Sequence, residues 1–303
     1  MSNPFLDPPS PPDANARAPG DAAPCVLCGG RTQKKIFDKQ GYDFVRCAGC
    51  SLVRLDPIPT EEALAEVYER SYDGGAYASW AAQADIRLAH ARTRVGLVRP
   101  HAPDGPWLDV GCSSGAFLEA VSGEGIDIDG IDVSGVAVEG CRERGLSAFH
   151  ASAENFEPER RYAYVTGFDV LEHVVDPGAF LERARGWLAP GGRIALTVPD
   201  VDSIHARMMG RNWYYYAPPL HVTYFNRDTV TRLMRKHDFE PLEVMAAPKI
   251  MTIDYITRQF EFFNPALYRV VAALARLVPA GLRRRELPFS TGEILVVATA
   301  AGA

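Results

Sequence analysis

The amino-acid sequence predicts an α/β protein built on a parallel sheet whose two faces are covered by helices. From residue 106 onward, short apolar stretches alternate with amphipathic ones, and strands separated by helices form βαβ units. A turn of small residues follows the first strand and an acidic residue ends the second, a pattern typical of ligand sites in such sheets. The predicted strands are Trp107–Val110, Ile126–Asp132, Tyr162–Phe168, Arg193–Val198, Pro241–Val244 and Glu293–Thr299. The predicted helices are Gly115–Gly123, Val136–Arg144, Pro177–Leu188 and Thr229–His237.

The composition is that of an ordinary globular protein. The 303 residues include 32 basic and 38 acidic side chains, a net charge of −6, and 47% are apolar. These values exclude a disordered, collagen-like or disulfide-scaffold protein. The N-terminus lacks a signal-peptide pattern, and no apolar run approaches the roughly 18–20 residues of a membrane-spanning helix. We therefore expect a cytoplasmic protein without a transmembrane segment.

Four segments of different composition follow one another. Residues 1–24 carry seven prolines and predict a disordered leader. Residues 25–56 hold four cysteines, and residues 57–104 hold two helical patterns that predict a helical N-terminal segment or lid. Residues 105–303 form the main domain, with a helical insertion at 249–290.

The four N-terminal cysteines form two Cys-x-x-Cys pairs separated by 18 residues, a spacing that predicts a zinc ribbon. The pairs are Cys25 with Cys28 and Cys47 with Cys50. Four thiolates complete a tetrahedral site, so the zinc would be structural. Four unrelated thiols or a redox pair are the alternatives. Residues 25–56, called the ribbon module below, carry six basic and three acidic side chains. This basic surface could contact phosphate or polysaccharide, although a merely solvated surface is the simpler interpretation.

The turn after the first strand, Gly111–Gly115, suits close approach of a ligand to the backbone. Glycine loops of this kind also bind dinucleotides, so the loop alone leaves that ligand open. Asp109 precedes the loop, where its charge would favour a cationic ligand such as a sulfonium amino acid. Asp132 lies 17 residues after Gly115, where a carboxylate can accept hydrogen bonds from both ribose hydroxyls.

These stretches resemble the class I S-adenosylmethionine-dependent methyltransferases, specifically the large bacterial group with a ubiquinone-pathway-type core. The resemblance runs from about residue 105 to residue 245 and rests on the loop, on Asp132 and on four further stretches. Those stretches are Ala153–Phe156, Phe168–Pro177, Leu188–Pro199 and Pro218–Phe239. The family implies a Rossmann-like sheet, S-adenosylmethionine as cofactor and methyl transfer as activity. A ribbon ahead of such a core is similar to some enzymes that methylate sugars.

The resemblance also implies roles for individual residues. The methionine end of the cofactor would lie against Asp109, Gly111, Ser113 and Gly115. Asp132 would hold the ribose, the adenine would lie between Val133, Ala153 and Glu154, and Phe168 would lie near the sulfonium. The sequence departs from the family pattern at Ser113, where a glycine is usual, and at Tyr162–Tyr164, where an acid is common.

Two histidines are candidate bases for the transfer. His221 is the first candidate, because it falls in the family's substrate-facing segment among aromatic residues that could form a wall for a sugar or ring. His173, beside Glu172, is the second, because it lies near the expected position of the methyl group. Both could instead be structural: His221 as a loop anchor and His173 as a pocket-shaping residue. The aromatic residues are Trp213, Tyr214, Tyr215, Tyr216 and Tyr224.

The insertion contains a basic stretch, residues 265–287, with five arginines and one glutamate. A basic amphipathic element could lie on a membrane surface as a peripheral contact or cap the active site. A lid or dimer contact is the simpler interpretation, and we expect a monomer or homodimer.

The sequence favours methyl transfer to a small-molecule or glycan acceptor, a hydroxyl of a sugar, glycan or secondary metabolite. One alternative is a ribosomal-RNA-type methyltransferase whose ribbon grips RNA. Residues 104–200 oppose nucleic-acid binding, because they carry 17 acidic side chains against seven arginines. A second alternative is a sugar C-methyltransferase, which often has Glu-His where this chain has Leu220-His221. A third is a non-catalytic partner that uses the ribbon as an interaction module.

Overall fold

The computed structural model describes residues 23–64, 66–67, 84–257 and 265–301. The predicted leader lies outside these ranges except for its last two residues. Residues 65 and 68–83 of the predicted lid and residues 258–264 of the insertion also lie outside them. The ribbon module folds as three antiparallel strands: β1 (Gln33–Lys39), β2 (Tyr42–Cys47) and β3 (Val53–Asp56).

The main domain is built on a seven-stranded sheet of order β10-β13-β8-β7-β4-β5-β6. Its strands are β4 (Trp107–Val110), β5 (Ile128–Asp132), β6 (Ala148–His150), β7 (Tyr162–Phe168), β8 (Leu188–Pro199), β10 (Phe239–Ala246) and β13 (Glu293–Ala300). The strands β4 to β8 are parallel, and the strand order reverses at β4. This reversal is the topological switch point at which α/β sheets bind ligands.

The sheet is mixed, which corrects the expectation of a wholly parallel one. β13 runs antiparallel to both of its neighbours, β8 and β10. The alternation of strands and helices predicted parallel strands, but the connection from β10 to β13 is not a single crossover helix. The chain enters β13 from the insertion instead, so the crossover argument does not apply to it.

Helices cover both faces of the sheet, as predicted. The helices are α1 (Ala84–Val98), α2 (Ala116–Ser122), α3 (Gly135–Arg142), α4 (Pro177–Trp187), α5 (Ile204–Met209), α6 (Arg227–Lys236), α7 (Pro265–Ala275) and α8 (Ala280–Arg283). Alternate strand residues serve opposite cores: Ile294 and Val296 pack on the side of α4 and α6, and Leu295 on the side of α1 and α2. Each face therefore has its own apolar core.

The ribbon module is continuous with the main domain rather than separate from it. A two-residue strand, β9 (Thr223–Tyr224), pairs with β3 and becomes the fourth strand of the ribbon sheet. At the other end of the module, Cys25 and Leu27 join the main apolar core, and Lys236 of α6 donates to the Val26 carbonyl at 2.7 Å. The module is held at two points of the main domain.

The insertion is tied at its base by a two-stranded sheet. β11 (Lys249–Met251) pairs antiparallel with β12 (Leu287–Phe289), and α7 and α8 lie between them along the chain. None of the helices in the described ranges is long and apolar enough to span a bilayer.

Candidate functional site

A cavity of about 940 Å³ opens at the carboxyl ends of β4, β5 and β7. Nearly all the residues expected to hold a cofactor line it: Asp109, Gly111, Ser113, Asp132, Val133, Ala153, Glu154 and Phe168. Gly115 does not line it. That glycine is the N-cap of α2 at φ 71°, and a Cβ there would lie 2.7 Å from the Cys141 Sγ. The residue permits close packing of the loop on α3 instead of contact with a ligand.

The loop after β4 takes the left-handed conformation at three positions. Gly111 has φ 73°, and a Cβ there would lie 2.8 Å from the Val170 Cγ2. Ser113 has φ 48°, so the side chain that replaces the family's glycine is accommodated in a conformation that disfavours it. The Ser113 carbonyl accepts from the Cys141 Sγ at 3.3 Å, which ties the loop to α3.

Asp132 ends β5 and joins the loop to the start of α3. Its two carboxylate oxygens accept from the backbone amides of Ser113 and Ser134, each at 2.8 Å. Burial raises the pKa of Asp132, although these two amides act in the opposite direction. A carboxylate offers about four lone-pair positions. Each oxygen therefore keeps acceptor capacity toward the cavity that it lines.

Asp109 lies inside β4 with 3% of its surface exposed. Its Oδ1 accepts from the Thr166 Oγ1 at 2.7 Å. Burial raises the pKa of Asp109 to about 7, even though the hydrogen bond from Thr166 lowers it. A cation placed beside this carboxyl would favour its ionised form, because an opposite charge stabilises the carboxylate.

Two exposed apolar side chains form another part of the lining. Val133 follows Asp132 and is 51% exposed, and Val136 in α3 is 63% exposed. The His150 Nε2 lies 3.0 Å from the Val133 carbonyl and holds this segment against β6. Exposed valines beside a cavity suit a flat apolar ring. Val136 and His150 were not expected from the sequence as site residues.

Phe168 ends β7, and its ring packs edge-on against Phe117 with centroids 4.8 Å apart. The guanidinium carbon of Arg94 lies 4.6 Å from the Phe168 ring centroid. Arg94 and Phe168 both line the cavity. Phe168 thus lies between the loop after β4 and a buried group of charges.

That group of charges centres on Asp169, which has φ 59°. Its carboxylate pairs with the Arg94 guanidinium at 2.6 Å and with the Lys249 Nζ at 3.4 Å. Burial alone would raise the pKa of Asp169, but the charges of Lys249 and Arg94 hold it well below its usual range. Lys249 also pairs with Glu293, which accepts a hydrogen bond from the Tyr215 hydroxyl. The site therefore holds a compact network of two cations and two acids.

Glu172, His173 and His221 form a second cluster, in which one ligand atom of each residue lies within 4.8 Å of the others. His173 lines the cavity, whereas His221 is 9% exposed and does not. Burial lowers the pKa of His173 to about 4 and that of His221 well below its usual range. Burial raises the pKa of Glu172, whose carboxylate oxygens have no hydrogen-bond partner among the described residues. These residue types could also hold a metal ion.

The aromatic residues near His221 do not form the expected wall of the cavity. Trp213, Tyr216 and Tyr224 are buried and pack against Tyr42 and Phe44 of the ribbon module. The Tyr215 ring instead stacks on His221, with centroids 6.0 Å apart and planes at 21°. These rings fix the segment that carries His221, and none of the three buried ones faces the cavity.

The ribbon cysteines converge as the spacing predicted. All four Sγ atoms lie within 4.8 Å of one another, with Cys25–Cys50 at 3.4 Å and Cys28–Cys47 at 3.5 Å. Zn–S bonds of about 2.3 Å give sulfur–sulfur edges of about 3.8 Å in a tetrahedron. A Cβ at Gly30 or Gly49 would lie 3.3 or 3.5 Å from the Cys28 Sγ, so small residues surround the thiols. The donor set fits a structural zinc ion.

Comparison with known proteins identifies the family of the chain. A family model described as a methyltransferase domain matches residues 80–244, more than half of the chain. The ubiquinone biosynthesis O-methyltransferase of Bradyrhizobium diazoefficiens is 28% identical over 116 residues, which covers 36% of this chain and 42% of that protein. The chain thus matches about two fifths of the length of this curated relative.

Solved structures share the fold. The 1,6-didemethyltoxoflavin-N1-methyltransferase of Burkholderia thailandensis, solved with S-adenosylhomocysteine, superposes with a TM-score of 0.52 at 14% identity. The superposition covers 89% of this chain and 99% of that one. The magnesium protoporphyrin IX methyltransferase of Synechocystis superposes with a TM-score of 0.50 at 12% identity, covering 78% and 99%. At such identities the likeness concerns the fold.

Proposed function

The chain belongs to the methyltransferase-domain family, and from this membership we propose that it transfers a methyl group from S-adenosylmethionine to a hydroxyl group of a small molecule. The acceptor would be a sugar, glycan or secondary metabolite. The observation that carries the proposal is the cavity beside β4, where Asp109, the left-handed loop, Asp132 and the exposed valines surround one space. This combination suits a ligand with a cationic end, a ribose and a flat base.

Different residues would contact the ribose, the adenine and the methionine end of the cofactor. Asp132 would accept from the ribose hydroxyls, and Val133 and Val136 would contact the adenine faces. Ala153 and Glu154 would lie at the adenine edge. The backbone at Gly111 and Ser113 would line the methionine end, with Asp109 as its counter-charge.

S-adenosylmethionine, when bound, supplies a methyl group on a positively charged sulfur. The chain itself must hold the acceptor hydroxyl in line with that methyl group and accept its proton. His173 is better placed for the proton than His221, because it lines the cavity. Burial lowers its pKa to about 4 and keeps the imidazole neutral, and the charge of the nearby Asp169 acts against that lowering. In this proposal His221 is a positioning residue behind His173.

The ribbon cysteines would hold one structural zinc ion. Cys25, Cys28, Cys47 and Cys50 supply four sulfur donors and leave no position for a substrate. The zinc would stabilise the module that supports β9, and β9 follows His221 directly. Its contribution to the reaction would be indirect.

Other acceptors differ in the support they receive. The curated relatives methylate a hydroxyl in ubiquinone biosynthesis by their names, so phenolic acceptors belong in the same screen as sugars. The charge of residues 104–200, with 17 acids and seven arginines, opposes an RNA acceptor. Sugar C-methyltransferases often have a Glu-His pair at this position, and this chain has Leu220 before His221 instead. The sequence therefore gives carbon methylation less support.

The test is calorimetric titration of the full chain with S-adenosylmethionine and, separately, with S-adenosylhomocysteine. We expect micromolar binding of both, followed by methyl transfer to one member of a screen of sugar nucleotides and phenols. Absence of binding by folded, zinc-loaded protein would contradict the proposal and favour the role of the ribbon as an interaction module. Binding without transfer to any hydroxyl acceptor would contradict the acceptor class alone.

A further inference from the structure

The helix α7 (Pro265–Ala275) is apolar, yet most of its described side chains are exposed or half-buried. Of its side chains from Tyr268 onward, only Ala275 is buried. Val270 is 55% exposed, Leu274 is 59% exposed and Leu277, just beyond the helix, is 80% exposed. Their spacing places the three on one side of the helix. A helix of this length has little stability in water without packing, so this face calls for a partner.

Exposed arginines flank these apolar side chains along the chain. Arg269, Arg276, Arg284 and Arg285 are exposed, and none of them forms an ion pair with any residue in the described ranges. Arg283 pairs with Asp254 at 3.6 Å. Glu286 is the only acid in residues 265–287, which gives this stretch a net charge of +4 in a chain of net charge −6. The charge of this surface is therefore opposite to that of the chain as a whole.

We propose that this surface, formed by α7, α8 and the arginines around them, docks on an anionic lipid bilayer. Apolar side chains flanked by four or more arginines are typical of helices that lie in the interface of anionic membranes. A second copy of the chain fits the same face less well, because a two-fold interface would oppose two surfaces of net charge +4. The positive charge thus favours an anionic partner. The exposed leucines favour a partner whose interior is apolar, as that of a bilayer is.

The docking surface is attached to the wall of the cavity. The chain leaves β11 for the helices and returns through β12, which pairs with β11 in register from Lys249 to Met251. All three residues of β11 line the cavity, as does Tyr255. A bilayer bound at α7 and α8 would therefore lie near one wall of the cavity. On the proposed function, the acceptor would then be amphiphilic, with its hydroxyl at the membrane surface.

The experiment is co-sedimentation of the full chain with vesicles of phosphatidylcholine alone and of phosphatidylcholine mixed with phosphatidylglycerol. We expect binding to the anionic vesicles, weakened by salt, and at least tenfold weaker binding to the neutral ones. The variant Arg276→Gln/Arg284→Gln/Arg285→Gln should bind anionic vesicles at least tenfold more weakly. The variant Leu274→Ser/Leu277→Ser should do the same without a change of charge.

A matched control changes the same number of exposed arginines elsewhere. Arg161→Gln/Arg232→Gln/Arg235→Gln removes equal charge and should leave vesicle binding within about twofold of the wild type. Equal binding by the control and by the α7–α8 charge variant would overturn the proposal, as would absence of wild-type binding to anionic vesicles. A wild-type dimer that dissociates in Leu274→Ser/Leu277→Ser would also overturn it, in favour of a second copy.

Cofactor titration separates this proposal from the proposed function. Each variant should bind S-adenosylhomocysteine as the wild type does, because the substituted residues do not line the cavity. Vesicle binding without cofactor binding would contradict the proposed function alone. Cofactor binding without vesicle binding would contradict the docking surface alone.

Discussion

The imidazole rings of His173 and His221 meet edge to face, with centroids 4.5 Å apart and planes at 81°. His173 lines the cavity, and its ring donates a hydrogen bond to the Leu220 carbonyl, next to His221. His173 thus contacts His221 directly through the rings and also contacts the backbone of the residue before it. This arrangement orients His173 toward the cavity and gives His221 a supporting position.

The buried state of His173 should make stability depend on pH. Its pKa falls from 6.5 to about 4 on burial, so below pH 6.5 the unfolded chain binds a proton that the folded chain does not. The contribution of His173 to the free energy of unfolding is therefore present above pH 6.5 and is lost toward pH 4, by about 1 kcal/mol per pH unit. Urea unfolding of the wild type and His173→Gln at about pH 7 and about pH 5 gives the change in the free energy of unfolding with pH for each protein. The difference between these two changes is the contribution of His173.

Other buried groups titrate in the same range, and comparison with the variant cancels their contributions. The free energies of unfolding of a variant and the wild type run parallel between these pH values when the substituted group has the same pKa in the folded and the unfolded chain. The same parallel behaviour in His173→Gln would contradict the low pKa of His173.

Asp132→Asn should weaken cofactor binding. The carboxylate accepts from two backbone amides and would accept from the ribose, and hydrogen bonds to charged groups contribute about 1.5–3 kcal/mol each. The asparagine amide nitrogen would also face one of these donors. Calorimetry with S-adenosylhomocysteine measures the loss. Asp104→Asn, at an exposed aspartate, should bind normally; an unchanged affinity in Asp132→Asn would remove this residue from the proposed site.

Gly111 and Ser113 should respond differently to substitution. Gly111→Ala places a Cβ 2.8 Å from the Val170 Cγ2 at φ 73°, so we expect destabilisation of about 1–2 kcal/mol and weak cofactor binding. Ser113→Gly removes the strain of a side chain in the left-handed conformation, but it also raises the conformational entropy of the unfolded chain. The two effects oppose each other, so stability should change by less than about 1 kcal/mol. Thermal unfolding and calorimetry compare the pair. Equal loss of binding in both would mean that the Ser113 side chain itself contacts the cofactor.

Lys249→Met should be strongly destabilising, because it leaves Asp169 and Glu293 without one of their cations. Breaking a buried ion pair by removing one partner costs about 3–5 kcal/mol. The double variant Lys249→Met/Glu293→Gln should lose less than the sum of the single variants, because the second change removes an uncompensated charge. Urea unfolding of the four proteins measures the coupling. Simple additivity would show that Lys249 and Glu293 do not interact in solution.

Cys28→Ser should lower zinc content and destabilise the ribbon module. Cys28 is the exposed member of the four cysteines, so the change should disturb the apolar core least. Elemental analysis of the wild type should give about one zinc per chain. Lys34→Gln, an exposed change in the same module, should keep its zinc. A wild type without zinc after expression in zinc-supplemented medium would contradict the site.

The elements predicted with correct bounds are the buried central strands. Trp107–Val110 and Tyr162–Phe168 match β4 and β7, because strands covered on both faces form continuous apolar runs. The three-residue edge strand β6 and the two-residue β9 were missed, since such short strands depend on distant partners and leave no local pattern. The strand β13 itself was predicted, but its antiparallel direction was missed because the chain reaches it through the insertion.

The cofactor side of the site was more predictable than the acceptor side. The loop and Asp132 are close in the sequence and in contact in the structure, so the residue types in one short stretch were enough to predict both. Which histidine faces the cavity depends on β9 joining the ribbon sheet, a pairing between residues about 170 positions apart. Arg94 and Lys249 come from α1 and the insertion, and a single cation in a helix or strand carries no signal of a distant acid.

The pairing of β3 with β9 bears on how this protein could be divided or recombined. The ribbon cannot be treated as a removable tag, because cutting the chain after it would leave β9 as an unpaired edge and uncover Trp213 and Tyr224. A ribbon grafted from another enzyme would need more than four cysteines. It would also have to reproduce the strand register with β9 and the aromatic interface. Changes in the ribbon and in the 213–224 segment are therefore expected to evolve in concert, as parts of one structural unit.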